Sequence, residues 1–68
     1  MVYKRIRQFR KRKKMSQYEL AALVGLEQTL ISRIERGMRK VSAEELPLFS
    51  KALGVSVADL LDEEQQSA

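Results

Sequence analysis

Gln28, Thr29, Ser32, Arg33 and Arg36 fall on one face when the segment from Gln28 to Arg36 is wound as a helix at about 100° per residue. These side chains can read nucleic-acid bases. Glutamine can pair with two atoms of adenine at once, and arginine with two atoms of guanine. Threonine offers a hydroxyl and a methyl that suits the thymine methyl. An ordinary solvated helix face could carry the same residues, so what lies behind the face decides between the two. There is no histidine, no cysteine and no clustered carboxylate pair in a plausible cleft. Acid–base catalysis, thiol chemistry and Cys/His zinc sites therefore lack their usual groups, which argues against an enzyme and implies no cofactor or metal.

Behind that face, residues 16–37, SQYELAALVGLEQTLISRIERG, read as two short helices around a glycine turn. Leu20, Val24, Ile31 and Ile34 are apolar at helical spacing. Ala21 is small where two helices must approach closely. Gly25 and Gly37 stand where a positive φ ends each helix, which glycine adopts without a Cβ clash. The pattern is a helix-turn-helix, a unit that places its second helix in the DNA major groove.

No strand-like alternation is present, so the fold class is all-α, and five helices are expected. The first runs from about Tyr3 to Lys13, with Ile6 and Phe9 as apolar contacts and Met15 following into the core. Lys14 takes its C-terminal turn position, where glycine would be easier. Ser16 opens the second helix with a capping box to Glu19. The third starts after Glu27, an unfavoured cap. The fourth opens with a second box, Ser42 to Glu45, buries Leu46, Phe49 and Leu53, and ends before Gly54. Pro47 removes a donor early in it, which predicts a distorted first turn. The fifth is capped by Ser56 with Asp59 three positions on, Val55 stapling onto Leu60, and ends at Leu61 or Asp62. One domain is expected over residues 1–68, with a core of about 3–61 and a disordered tail, 62–68.

At 68 residues the chain buries only about 60% of its unfolded surface, so its stability must be modest. Net charge is +4, and eight of the thirteen basic residues lie between positions 4 and 14. A basic end suggests a polyanionic partner. A solvated helix face explains the same run equally simply. No apolar run is long enough for a membrane span or a signal peptide, and the expected location is cytoplasmic.

Three further groups draw notice. Glu35 lies on the inward side of the third helix and needs a cation if it is buried, for which Arg10 is the candidate. Two independent surface charges are the alternative. Arg39 and Lys40 lead into the Ser42 helix start and, with Gln17, suit phosphates of a nucleic-acid backbone. Leu48 falls opposite the buried stripe of the fourth helix, and Val57 lies early in the fifth. Both are candidates for a dimer contact, though scattered exposed apolar residues are normal.

The segments SQYELAALVG, LISRIERG and KALGVSVADLL together resemble the XRE family of phage repressor and Cro-like domains, over about Ile6 to Leu61. The resemblance implies a compact five-helix lambda-repressor-like fold and a homodimer on a palindromic operator in double-stranded DNA. It also implies transcriptional control. By position, Gln28, Thr29, Ser32 and Arg33 would read bases, and Gln17, Arg36, Arg39 and Lys40 would touch the backbone. Arg10 and Glu35 would form an internal ion pair. Two residues depart from the family pattern: Lys14 replaces the usual glycine, and Glu27 the usual Ser or Thr cap.

The reading is a sequence-specific transcriptional regulator: a phage repressor, a restriction–modification controller or an antitoxin. The length leaves no room for a ligand-sensing domain, so control is expected through protein amount, dimerisation or a regulatory protein partner. The alternative is a protein-interaction module of the antitoxin kind, for which Leu48, Val57, Tyr18, Leu23 and Met38 make a thin apolar surface. A membrane-surface role for the first helix fails on its narrow apolar face, Ile6 and Phe9.

Overall fold

Three serines set the frame in the same way. The Ser16, Ser42 and Ser56 hydroxyls accept the backbone N–H of Glu19, Glu45 and Asp59 at 3.0, 3.2 and 2.9 Å. Each carboxylate in turn accepts the serine N–H, at 2.8, 3.0 and 3.0 Å. Two otherwise orphaned donors are satisfied at each start. The computed structural model describes residues 2–61, so Met1 and the expected tail, 62–68, lie outside the described residues. Five helices follow in order: α1 (Val2–Arg12), α2 (Gln17–Val24), α3 (Gln28–Glu35), α4 (Leu46–Leu53) and α5 (Val57–Leu61).

Four boundaries differ from those expected. α1 starts and ends one residue early, because Lys14 turns left-handed at φ 54 and stops the helix behind it. α3 ends at Glu35, with Arg36 as its cap and Gly37 at φ 75 beyond. α4 is regular only from Leu46: residues 43–45 form a turn, although the Ser42 box is intact. Pro47 has no N–H to return to residue 43, and it disfavours helical backbone at Leu46. The first turn is distorted, as the sequence predicts, and the chain continues without a break.

The core is one cluster drawn from all five helices: Ile6, Leu20, Ala21, Val24, Ile31, Ile34, Phe49, Leu53 and Leu60. Burying each of the larger side chains contributes about 1.5–3 kcal/mol. Phe9, Met15, Leu46 and Val55 are half-buried around it. α2 packs on α3 and α4, while α1 lies against α3, α4 and α5. Ala21 lets the two helices of the central unit close up. Gly25, at φ 76, turns the chain between them and donates its N–H to Ala21. No helix among the described residues is long and apolar enough to cross a membrane.

Candidate nucleic-acid interface

α3 is amphipathic in the sense that matters for recognition. Ile31, Ile34 and Glu35 are buried and Leu30 is half-buried, while Gln28, Thr29, Arg33 and Arg36 are exposed and Ser32 is half-buried. The roll of the helix about its own axis therefore fixes which side chains face outward. That roll is set by hydrophobic packing and by one buried carboxylate.

The Glu35 side chain is 2% exposed and that of Arg10 11%. Arg10 Nε donates to Glu35 Oε2 at 2.6 Å, and Nη2 donates to Oε1 at 2.9 Å. Arg10 Nη1 donates to the Met15 carbonyl at 2.8 Å, and Gln17 Nε2 donates to Glu35 Oε1 at 3.2 Å. This planar, two-point pairing ties α1, the start of α2 and the end of α3 together with defined orientation. The expected Arg10–Glu35 pair is present, and the two charges are not independent surface groups.

Gln17, Gln28, Thr29 and Ser32 line one open cleft where the starts of α2 and α3 meet. A sequence-expected backbone contact and three expected base readers are thus brought together. Gln17 has an additional task in holding Glu35, which no spacing rule indicated. Glu27 makes no side-chain cap to α3, though its carbonyl accepts the Leu30 N–H at 3.0 Å, so the N–H groups of Gln28 and Thr29 are left to solvent or ligand.

On the other flank, Arg36 and Lys40 are exposed. Arg36 Nε donates to the Ser32 carbonyl at 3.3 Å. Arg39 differs from a free phosphate contact. Its Nη1 and Nη2 donate to Glu45 Oε1 and Oε2 at 3.1 and 2.9 Å, so one carboxylate serves both the Ser42 cap and the guanidinium. These bonds, with that of Arg39 foremost, hold the Glu45 carboxyl down at about 2 and push the Arg39 pKa up. The pair closes the loop between α3 and α4. The sequence offered one hint: a capping-box glutamate has a spare oxygen, and Arg39 lies within reach.

Of the dimer candidates, Leu48 is 46% exposed. Val57 is half-buried rather than exposed, because α5 is a single short turn lying close to its neighbours. Leu61, one turn after Val57 and 38% exposed, extends this apolar edge and was missed in the sequence. Tyr18, Leu23 and Met38 are all well exposed.

A family model described as helix-turn-helix matches residues 6–60. The control protein C.BamHI of Bacillus amyloliquefaciens is 51% identical over 59 residues, covering 85% of this chain and 73% of that protein. The restriction–modification controller C.AhdI of Aeromonas hydrophila superposes with a TM-score of 0.82 at 34% identity, over 87% of this chain and 86% of that one. SinR, a transcriptional regulator of Bacillus subtilis (strain 168), is 40% identical over 68 residues, 98% of this chain and 61% of that protein. Its structure in complex with DNA has a TM-score of 0.84 at 41% identity and covers 91% of this chain and 100% of that one.

Proposed function

The chain belongs to the helix-turn-helix family of XRE-type transcriptional regulators, and we propose that it reads a palindromic operator in duplex DNA as a homodimer, with α3 in the major groove. The observation that carries this reading is the outward face of α3. Gln28, Thr29 and Ser32 share a cleft with Gln17, and Arg33 lies exposed beside them on the same helix. The opposite side of that helix is clamped by Arg10 and Glu35. Pre-positioned donors aimed at base edges give specificity that mobile side chains would not.

In this assignment Gln28, Thr29, Ser32 and Arg33 read bases. Gln17, Arg36, Lys40 and the backbone around Ser42 meet phosphates, and Arg39 shapes the loop that presents them. The likeness to C.BamHI and C.AhdI supports a controller role over that of an antitoxin. Operator DNA as the target puts the work of the protein in the cytoplasm. Recognition by these groups calls for no cofactor.

Selection of bound sequences from random duplex DNA should recover a palindrome. Gln28→Ala and Arg33→Ala should each weaken binding to it by about 1–3 kcal/mol and relax preference at particular base pairs. If both variants keep the wild-type sequence preference, α3 is not the reader.

A further inference from the structure

We propose that α1 carries a second DNA contact: a row of cations, Lys4, Arg7 and Lys11, that grips the phosphate backbone flanking each half-site. The proposal rests on the reading of α3 as the recognition helix and extends it to a surface that this reading leaves unused.

Lys4, Arg7 and Lys11 follow each other at spacings of three and four, so they form one line on the solvent side of the helix. All three are exposed, and among the described residues none has an ion-pair partner. The neighbouring acids among the described residues are committed elsewhere. Glu35, under the row, is held by Arg10 and Gln17, and the Asp59 carboxylate caps Ser56. The first turn of α1 contains no acid, so Lys4 also stands against the positive end of its own helix dipole. In the free protein these charges repel one another and the helix end. An external polyanion removes that repulsion.

Placement identifies the polyanion. The Tyr3 ring lies against Gly37 just past the end of α3, 3.2 Å from where a Cβ would stand. Arg10 meets Glu35 at the last turn of the same helix and reaches Met15 just before α2. The stretch of α1 between Tyr3 and Arg10 is thus held beside the C-terminal end of α3. Tyr3, Lys4, Arg7, Gln8 and Glu35 line a single cleft at this junction. With α3 in the major groove, a cationic row on the helix beside it is set for the sugar–phosphate strand bordering that groove. Lys4 to Lys11 spans about 10 Å along the helix, enough for the row to meet more than one phosphate of that strand.

The experiment uses the selected operator in two duplexes, one trimmed to the palindrome and one extended by about one helical turn on each side. Wild-type protein should bind the extended duplex at least about tenfold more tightly at low salt. The slope of log affinity against log salt should be steeper on it by about two to three per protomer. The triple variant K4Q/R7Q/K11Q should lose this gain and bind the trimmed duplex as wild type does. Arg7→Lys, which keeps the charge, should retain it. Thermal melting of each variant without DNA identifies any that fail to fold, in which case single Gln substitutions replace the triple. Equal wild-type affinity for the two duplexes overturns the proposal, and so does a triple variant that still gains from the flanks. Binding of wild type to phosphatidylserine vesicles without any flank effect would assign the row to a lipid surface and overturn it too. Failure to bind even the trimmed operator would instead overturn the α3 reading.

Discussion

Arg10 is the residue on which the proposed recognition face most depends, although it lies on another helix. Its guanidinium is the only cation on a carboxylate that is 2% exposed, among the described residues. Removing it leaves Glu35 buried without its charge partner and with only Gln17 as a donor. Arg10→Met should therefore cost about 3–5 kcal/mol of stability. Arg12→Met should cost less than about 1 kcal/mol, since Arg12 is exposed and lies over the Phe9 ring at 5.5 Å. Urea unfolding of both variants without DNA makes the comparison, and equal midpoints would show the pair to be screened by solvent. Spacing alone could place Glu35 on the inner side of α3 and name Arg10 as a candidate partner, but it left two independent surface charges equally open, because the partner comes from another helix. The family resemblance favoured the pair. Gln17 shows where both sources run out: its second contact depends on the angle between α2 and α3, which no one-dimensional pattern encodes.

At the level of elements, capping boxes were more legible than helix bounds or helix contacts. Each Ser-x-x-Glu or Ser-x-x-Asp box closes as its spacing predicts, because capping is local chemistry. The late start of α4 was foreshadowed by Pro47, and the left-handed Lys14 by its position. The tie between Arg39 and Glu45 was not foreseen, since it depends on how the intervening loop folds back. That tie has a pH signature. Glu45 has its ordinary value of 4.5 when free and about 2 in the fold. The fold favours the ionised form, so this contribution is complete above about pH 4.5 and is lost as pH falls toward 2. With allowance for solvent screening it is on the order of 1 kcal/mol. Wild type and Glu45→Gln should accordingly differ most in stability near neutral pH, and the gap should close across that acid window. A gap that stays constant in urea melts from pH 5 down to about 2 would mean the carboxylate gains nothing from ionising in the fold.

For the molecule as a whole, the reading surface is too small to act alone. One α3 and a few backbone contacts give limited discrimination among genomic sites, and in the proposed dimer two copies reading half-sites about 34 Å apart would supply the rest. The exposed apolar residues of α4 and α5, Leu48 and Leu61 with half-buried Val57, are the candidate seam between copies in the proposed dimer. The charge distribution sharpens what such a dimer should do in salt. Sequence alone counts Arg39 among the phosphate contacts, but in the fold its guanidinium is already neutralised by Glu45 and releases no counterion. Arg36 and Lys40 remain in each protomer. On a trimmed operator the dimer should then show a slope near −4 in log affinity against log salt. Leu48→Glu places a charge in the seam without touching the core or α3. It should leave the monomer folded by circular dichroism, shift sedimentation toward the monomer, and bring the salt slope on the operator down toward −2, the value for one copy acting alone. If Leu48→Glu sediments and titrates as wild type does, the seam lies elsewhere. If wild type itself binds an isolated half-site as tightly as the palindrome, two-copy recognition fails altogether.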